Sequence, residues 1–468
     1  MDNKIQRVEL TVTNKPGVLD RVIIHIRHEG WNIKRLTAED IEDGALSHME
    51  MDIEGTHTKL AQVVERLLHL DCVLGISTII DGEKTVKKRK QKETQGAPLP
   101  AAEPKKAPAK KEGTYRILTI NPGSTSTKFA VYDDESDIFT QTIRHGQEEL
   151  SRFGSIIEQK DYRKDCIVSA LAEAEIGGET LDAVAGRGGL LRPIESGTYV
   201  IGQTMLEDLR TATAAMHASA LGAIIASEIA GKFAIPAYVV DPVVVDEMDR
   251  YAKLTGMPGI ERASVFHALN QKAVARRAAR DMGKPYENTR LVVAHLGGGI
   301  TVGAHRYGRV LDVNDGLAGE GPFTPERTGG IPALPLIRMC FSGDYTEAEM
   351  ADKVTKKGGL LAYLGTNDLR VVQNMINGGD AFAAMVLDSM GYQVSKEIGA
   401  MAAVLEGKVD AILLTGGLAY SNRFTGAVKQ RVDSLAPVHV YAGEDEMFAL
   451  MSGALRVLRG EESAAQYE

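Results

Sequence analysis

The chain has 468 residues, enough for about three folding units. Its 44% hydrophobic and 25% charged residues are typical of a globular protein, and a net charge of −9 attracts neither nucleic acid nor an anionic membrane. The start lacks a signal segment, and no apolar run approaches the ~18 residues that span a bilayer. The three cysteines (Cys72, Cys166 and Cys340) are far apart and form no C-x-x-C pair, so a reduced, cytoplasmic protein is expected.

The first predicted unit covers residues 1–82 and has the element order β-α-β-β-α-β. RVELTVT alternates apolar and polar residues like a half-buried strand, and a turn through Pro16 and Gly17 leads into a helix with apolar residues at helical spacing. The strands NIKRLTAED and LSHMEMDIE, a helix over about 58–70 and the strand VLGISTII follow. This order predicts a ferredoxin-like α+β fold.

The segments NKPGVLDRV and GWNIKRLT, in this element order, resemble the ACT domain of the acetolactate synthase regulatory subunits. ACT domains usually pair and bind amino acids where the Pro-Gly loop meets the partner chain. The resemblance therefore implies an effector site near Asn14, Gly17 and Asn32, with a branched-chain amino acid as the candidate effector. A dimerisation module without a ligand is the alternative.

Residues 83–113 are rich in Lys, Pro and Ala and have almost no large apolar side chains. Such a segment cannot bury enough surface to offset its ordering entropy, so a disordered, extended linker is expected. The basic run from Lys87 to Lys92 could instead bind a polyanion.

The chain repeats itself from Thr114 onward. RILTI, the turn NPGSTST, KFAVYDD and IFTQTI read as strand, small-residue turn, strand and strand, and RLVVAHL, GGG, ITVGAHRYG and RVLDVND follow in the same order. Such a repeat constrains the fold more strongly than a single motif. It predicts two lobes whose turns face each other across a cleft.

Three turns in this region have the composition of phosphate-binding loops, in which small residues let backbone N–H groups approach oxygen atoms. The first turn offers Asn121, Gly123, Ser124, Ser126 and Lys128. The second consists of Gly297, Gly298 and Gly299, and the third contains Gly416 and Gly417. Each could be an ordinary turn by itself, but the three together predict a nucleotide cleft.

Five longer segments resemble the butyrate kinases of the acetate and butyrate kinase family, in the actin-like ATPase superfamily: VAGRGGLLRPIESGTY, VVDPVVVDEM, GIERASVFHALNQKAVARR, VVAHLGGGITVG and DGLAGEGPFTPERTGGIP. The resemblance implies an α/β, two-lobed actin-like (ribonuclease H-like) kinase fold behind the ACT domain. It places lobe one at 114–262, lobe two at 263–444, and a C-terminal helix at 445–468 that returns to lobe one. One departure is Ala220, where the family usually has Asn.

The resemblance implies ATP-dependent, reversible phosphorylation of butyrate or a branched C4–C5 acid to its acyl phosphate. ATP or ADP and Mg²⁺ are the implied cofactors, and a homodimer or higher homo-oligomer is the implied assembly. Two alternatives remain: an acetate or propionate kinase with the same chemistry, and a non-catalytic amino-acid sensor built on the ACT domain.

A carboxylate substrate is already ionised at pH 7, so the reaction requires no general base. It requires alignment and neutralisation of a phosphoryl group that moves between two anions. Arginine suits this role because its planar fork grips two oxygens at once. The resemblance assigns Arg187 to the substrate carboxylate and Arg327 to the phosphoryl group. Glycines beside both residues favour close ligand approach, and a surface ion pair is the alternative for each arginine.

The resemblance gives three histidines and one aspartate positions in the cleft. His267 would donate to a transferring oxygen, and His295 and His217 would lie near the phosphates. Asp241, at the end of the strand AYVVD, would orient Mg²⁺-bound water and substrate. For a lone histidine in an apolar context, a satisfied core residue is the alternative, and for Asp241 the alternative is an N-cap for the segment that follows.

The resemblance assigns Asn121 and Glu446 to the Mg²⁺ site, although Glu444 and Asp445 lie beside Glu446. Mg²⁺ keeps several waters and needs few protein ligands, which fits such a sparse set. Gly416, Gly417, Asp368 and Arg370 would line the adenosine pocket. Asp368 and Arg370 could equally be a helix start with a solvated ion pair.

Overall fold

The computed structural model describes residues 5–13, 18, 22–23, 26, 31–41, 45–55, 64, 67, 73–80, 83–88, 108, 110–211 and 218–468. Three residues of the predicted sites, Asn14, Gly17 and His217, lie outside this set, as does most of the predicted linker. The chain divides into two compact units. One comprises residues 1–100 and 359–387, and the other comprises residues 101–358 and 388–468.

The strands of the described residues form three sheets. In chain order they are β1 (Ile5–Thr13), β2 (Trp31–Ile41), β3 (Leu46–Gly55), β4 (Val73–Ile80), β5 (Glu83–Lys88), β6 (Arg116–Pro122), β7 (Ser126–Asp133), β8 (Ser136–Arg144), β9 (Ala183–Gly186), β10 (Thr198–Val200), β11 (Ala237–Val240), β12 (Arg290–Leu296), β13 (Ile300–Arg306), β14 (Arg309–Val313), β15 (Ala411–Gly416) and β16 (Val438–Ala442).

The first sheet has the order β2-β3-β1-β4-β5, with antiparallel neighbours. Val8, Leu10 and Val12 of β1 are fully buried, as the alternating sequence predicts. Val22 and Ile26, which are helical, pack into the same core. The four strands that the sequence predicts for the ACT unit are therefore present.

The expectation of a disordered linker from residue 83 is wrong for its first six residues. Glu83–Lys88 forms β5, which pairs with β4 in the register Ser77↔Val86 and Ile79↔Lys84. Composition alone missed this strand because a lysine-rich segment can still pair through its backbone at the edge of a sheet.

The predicted repeat is present in the two remaining sheets. In the second sheet the order is β10-β11-β9-β6-β7-β8, and in the third it is β14-β13-β12-β15-β16. Each contains an antiparallel three-strand meander whose first strand also pairs in parallel with a later strand, β6 with β9 and β12 with β15. The small-residue turns of the two meanders therefore occupy equivalent positions in the two sheets.

Helices occur between and after the strands from β8 onward. In the described residues they are α1 (Gln147–Leu150), α2 (Lys160–Glu173), α3 (Gln203–Thr211), α4 (Ala220–Phe233), α5 (Arg250–Lys253), α6 (Ala268–Asp281), α7 (Ala333–Cys340), α8 (Glu347–Thr355), α9 (Gly359–Leu364), α10 (Leu369–Asn377), α11 (Ala381–Val404), α12 (Asn422–Val432) and α13 (Glu446–Leu458). Short 3₁₀ turns occur at Ile157–Gln159, Gly178–Thr180, Tyr286–Asn288 and Gly417–Tyr420.

Helix α13 packs on the second sheet, although it follows the last strand of the third. Its Met447, Leu450 and Ala454 share a core with Ile117 of β6 and Val240 of β11. This packing brings the first residue of α13, Glu446, to the end of β6, where a small-residue turn begins. None of the helices in the described residues is long and apolar enough to cross a membrane.

Candidate active site

A cleft of about 260 Å³ opens beside the first small-residue turn. Its lining includes six of the predicted site residues together with three others: Asn121, Gly123, Ser126, Lys128, Arg187 and Glu446, and Thr142, Glu444 and Met447. Arg187 and Glu446 also line a smaller adjoining cavity with Asp241, His267 and Asn270. Residues from widely separated parts of the chain therefore surround one site.

Arg187, Glu446 and Asn121 form a hydrogen-bonded group at the centre of this site. Arg187 Nη1 donates to Glu446 Oε2 at 2.9 Å and to Asn121 Oδ1 at 3.4 Å. The amide of Asn121 also donates to Glu446 Oε2. The side chain of Arg187 is 24% exposed, so part of its guanidinium faces the cleft. This geometry leaves Arg187 able to contact an anion while Glu446 holds its orientation.

The glycines around Arg187 serve packing of the protein rather than close approach of a ligand. A Cβ at Gly186 would lie 2.2 Å from the carbonyl oxygen of Gly222 in α4. A Cβ at Gly189 would lie 2.6 Å from the Cβ of Ala220. Helix α4 thus contacts the backbone that carries Arg187, and the short side chain of Ala220 fits this contact.

Asp241 is 1% exposed and is held by internal partners. Its Oδ1 accepts from the hydroxyl of Ser196 at 2.6 Å and from the N–H of Gly197 at 2.9 Å, and its Oδ2 accepts from Arg276 at 3.1 Å. Burial acts to raise the pKa of Asp241, but the cations of Arg276 and Lys272 and the Ser196 hydroxyl outweigh burial, and the pKa is lowered. No helix follows directly, so Asp241 is not an N-cap.

His267 and His295 stack face to face, with ring centroids 3.8 Å apart and an angle of 10° between the rings. His295 Nδ1 lies 2.8 Å from Asn270 Oδ1, and its Nε2 lies 3.2 Å from Glu444 Oε1. Burial, His295 and the two arginines Arg187 and Arg327 hold the pKa of His267 well below its usual value. His267 is therefore neutral at pH 7 and can donate from only one of its ring nitrogens.

A chain of buried hydrogen bonds decides which nitrogen that is. Gln271 Nε2 donates to the backbone oxygen of Thr301 at 3.0 Å, which fixes the orientation of the amide, and to Thr301 Oγ1 at 2.8 Å. The hydroxyl of Thr301 is then free to donate to His267 Nδ1, 2.9 Å away. His267 consequently carries its proton on Nε2.

The same chain continues behind Gln271. Its Oε1 lies 3.0 Å from His305 Nε2, and His305 Nδ1 lies 2.7 Å from the hydroxyl of Tyr286. Burial lowers the pKa of His305 and raises that of Tyr286, so the imidazole is neutral and the phenol keeps its proton. Tyr286 therefore donates to His305, and His305 donates to Gln271. All hydrogen bonds of the chain run in one direction and end at His267.

Arg327 approaches the histidine pair through the second small-residue turn. A Cβ at Gly299 would lie 2.4 Å from Arg327 Nη1 and 3.2 Å from His267 Cε1. Arg327 Nη1 donates to the backbone oxygen of Gly316 at 2.5 Å, and its buried Nε has no hydrogen-bond partner in the described residues. A buried unpaired donor beside His267 is suited to an oxygen atom of a ligand. In contrast, a Cβ at Gly329 would lie 2.5 Å from the N of Phe323, so this glycine serves packing.

The first turn, residues 122–126, is ordered from behind by Arg163 of α2. Arg163 is fully buried and donates to the backbone oxygens of Gly123, Ser124 and Ser126 at 2.9, 3.1 and 2.9 Å. The side of the turn away from Arg163 includes the exposed Ser124. The second turn is closed by a hydrogen bond from the N–H of Gly297 to the oxygen of Gly299.

The four residues assigned to the adenosine pocket lie in the two different units. Gly416 ends β15, and a Cβ there would lie 2.4 Å from the oxygen of Leu296, whereas Gly417 faces open space. Asp368 caps α10 by accepting from the N–H of Arg370 at 2.9 Å, and the two side chains form an exposed ion pair at 2.7 Å. Asp368 and Arg370 thus have the helix-start arrangement that was the alternative to ligand binding.

Sequence reasoning missed several residues that the site depends on. Asn270 and Gln271 lie three and four positions after His267, in the first turn of α6, and this spacing was a usable signal. Arg163 gave no such signal, because it lies in the charged segment KDYRKD and nothing in the sequence distinguishes it from the charged residues beside it. Ser196 and Arg276 are brought to Asp241 only by the tertiary fold.

Two sequence families match different parts of the chain. The acetokinase family matches residues 252–444, and the AHAS small subunit-like ACT domain matches residues 8–75. Among solved structures, the acetate kinase of Porphyromonas gingivalis has a TM-score of 0.61 at 20% identity, covering 74% of this chain and all of that one. A propionate kinase of Francisella tularensis has a TM-score of 0.59 at 20% identity, covering 72% and 98%. These likenesses confirm the predicted actin-like kinase fold.

Two curated relatives of Clostridium acetobutylicum are more similar in sequence. Butyrate kinase 1 is 53% identical over 354 residues, which are 76% of this chain and all of that protein. Butyrate kinase 2 is 51% identical over 354 residues, which are 76% of this chain and 99% of that protein. The predicted resemblances are thus confirmed, and the chain belongs to the butyrate kinases of the acetokinase family, with an additional ACT domain.

Proposed function

We propose that this protein is a cytoplasmic kinase that transfers the γ-phosphoryl group of ATP to butyrate or a branched C4–C5 acid, in a reversible reaction. The observation that carries this proposal is the convergence of Arg187, His267 and Arg327: Arg187 and His267 line one cavity, and Arg327 and His267 both approach Gly299. A cation for a carboxylate, a neutral imidazole donor and a second cation are what an acyl-phosphate transition state requires.

In the proposed reaction, Arg187 binds the carboxylate of the acid and aligns one of its oxygens with the γ-phosphorus. That oxygen forms the new P–O bond while the bond to the β-phosphate oxygen breaks and ADP leaves. Nε2–H of His267 and the guanidinium of Arg327 donate to the oxygens of the phosphoryl group as it moves. No proton has to be removed from the acid, which fits a neutral His267 with no role as a base.

Asp241 has a different role in this proposal from the one that the sequence suggested. Both of its oxygens accept hydrogen bonds from protein groups, and it pairs with Arg276 of α6, the helix that His267 precedes. We assign it to holding α6, and with it His267, in position. This assignment replaces the predicted role of Asp241 in orienting Mg²⁺-bound water and substrate.

The oxygens of Asn121 and Glu446 fit a Mg²⁺ ion that keeps most of its water. They lie together in the cleft, and the described residues contain no cluster of three or more metal-binding side chains. A hard cation that is held mainly by water and phosphates needs only such a sparse protein contribution. When bound, Mg²⁺ would neutralise phosphate charge, and Asn121 and Glu446 would fix its place beside the turn.

The test is formation of acyl phosphate, trapped as the hydroxamate, from ATP and each of a series of C2 to C5 acids. Product that depends on ATP, Mg²⁺ and acid supports the proposal. Absence of product with every acid would instead favour the non-catalytic sensor. Product with acetate or propionate as the best substrate would favour the alternative kinase.

The assembly and the effector are further parts of the proposal. Helix α7 exposes Leu334, Ile337 and Met339, and Phe341 after it is 86% exposed. An apolar surface of this kind supports a homodimer, which sedimentation would test. We also propose that a branched-chain amino acid binds the ACT domain near Asn14, Gly17 and the exposed Asn32, and alters the rate. Calorimetry and kinase assays on the full chain with valine, leucine and isoleucine test both halves.

A further inference from the structure

Arg163 of α2 is a buried cation that the proposed reaction does not use directly. It is 0% exposed, and its guanidinium is surrounded by neutral oxygens: three backbone carbonyls of the turn at 122–126, Thr127 Oγ1 at 3.0 Å and Gln159 Oε1 at 2.9 Å. It has no ion pair in the described part of the chain. An arginine keeps its charge at pH 7 even where burial lowers its pKa, as it does here.

An unpaired buried charge is costly, so it calls for a compensating interaction. The dipoles of the three carbonyl groups supply part of this compensating interaction. The turn that they belong to borders the cleft, which Gly123 and Ser126 line. An anion bound on the far side of this turn would supply the missing counter-charge across one layer of backbone.

The hydrogen bonds of Arg163 also determine which way the peptide units of the turn point. In a trans peptide the N–H is directed opposite to the C=O. With the oxygens of Gly123 and Ser124 directed at Arg163, the N–H groups of Ser124 and Thr125 are directed away from it. Both residues are exposed. Arg163 thus turns the donors of the loop outward.

We propose that Arg163 is a positioning residue that orders the turn at 122–126 for nucleotide phosphates and that these phosphates are its counter-ion. This inference rests on the proposed function, in which the turn binds the phosphates of ATP. In this proposal, Arg163 both fixes the geometry of the turn and contributes part of the positive potential at the turn.

Gln159→Glu is the most direct test, because it gives Arg163 a permanent counter-ion with almost no change of shape. The new carboxylate would lie where Gln159 Oε1 now accepts from Arg163 Nε at 3.1 Å and Nη2 at 2.9 Å. Gln159 immediately precedes α2, and the N-terminus of a helix favours the ionised form. A merely structural role for Arg163 predicts a melting temperature as high as or higher than that of the wild type, with unchanged nucleotide binding.

The proposal predicts that Gln159→Glu raises the KM for ATP about tenfold, because it neutralises the charge that lies behind the turn that would bind the phosphates. The KM for the acid should stay within about twofold, since Arg187 is untouched. The ADP-dependent rise in melting temperature should shrink. Arg163→Lys, which keeps the charge but cannot reach three carbonyls, should also raise the KM for ATP. An unchanged KM for ATP in Gln159→Glu would overturn the proposal.

A control comes from the other end of β6, where Arg116 forms a buried ion pair with Asp133 at 2.7 Å. Asp133→Asn changes the charge of the same sheet by one and should lower the melting temperature without altering the KM for ATP. The ADP-dependent shift in melting temperature needs no turnover, so it tests the role of Arg163 separately from the proposed kinase reaction. A wild type that makes no acyl phosphate, with an ADP shift that Gln159→Glu abolishes, would support Arg163 and reject the kinase reaction.

Discussion

Replacing Thr301 with valine tests the hydrogen-bond chain that ends at His267. Valine has nearly the shape of threonine but lacks the hydroxyl that lies 2.9 Å from His267 Nδ1. Without that donor, the neutral ring is free to carry its proton on Nδ1. Nε2 would then face the phosphoryl oxygens as an acceptor.

The magnitude follows from the hydrogen bond that would be lost. A hydrogen bond to a charged group contributes about 1.5–3 kcal/mol, which corresponds to about 10- to 150-fold in kcat. Gln271 Nε2 keeps the backbone oxygen of Thr301 at 3.0 Å as an acceptor, so the fold should survive. The free energy of unfolding should fall by about 1–3 kcal/mol.

Steady-state hydroxamate assays on Thr301→Val measure the change in kcat, and Thr301→Ser is the matched control. Serine keeps the hydroxyl and should retain most of the activity. Nitrogen NMR of the histidine rings reports the tautomer itself and should show His267 protonated on Nε2 in the wild type. A Thr301→Val enzyme with kcat within threefold of the wild type would refute the argued role of the chain.

Three further substitutions separate the roles of the charged residues. Arg327→Ala should lower kcat by about 10³-fold with a smaller change in nucleotide KM, because Arg327 acts on transition-state charge. Arg210→Ala, at an exposed position of α3, is the control, and near-normal turnover of Arg327→Ala would exclude that role. Arg187→Ala should mainly raise the KM for the acid, and a change in kcat alone would contradict ground-state binding of the carboxylate. Asp241→Asn should lower the free energy of unfolding at pH 7 by about 3–5 kcal/mol, because it leaves Arg276 without its buried partner. The folded pKa of Asp241 is lowered, so its contribution to stability is full above about pH 4 and is lost as the pH falls through the folded pKa. Denaturant titrations should therefore give the wild type and Asp241→Asn the same free energy of unfolding in acid. A difference in free energy that stays constant with pH would show that Asp241 contributes no charge-dependent stability.

Sequence patterns predicted the elements well where local spacing carries the information. The alternation in β1 and the two meanders from Arg116 and Arg290 follow from periodicity and repetition, and both are present. Strand β5 was not predicted, because pairing at a sheet edge uses backbone groups and amino-acid composition carries no information about them. Lysine-rich composition therefore predicts exposure of a segment but not the absence of structure.

The sequence predicted which residues lie close together better than it predicted their contacts. Arg187, His267 and Arg327 were identified through family motifs, and the structure brings them together. The glycines around Arg187 were misinterpreted because close packing of a helix and close approach of a ligand both require the absence of a Cβ. The partners of Asp241 and the turn carbonyls of Arg163 come from distant parts of the chain, so no local pattern could reveal them.

The measurement that tests the central claim most directly is the specificity constant, kcat/KM, for acetate, propionate, butyrate and branched C4–C5 acids with ATP and Mg²⁺. Each buried methylene contributes about 0.8 kcal/mol, so two additional ones should favour a C4 acid by about tenfold or more over acetate. The account predicts the highest value for butyrate or a branched C4–C5 acid. A highest value for acetate, or no acyl phosphate with any acid, would contradict it.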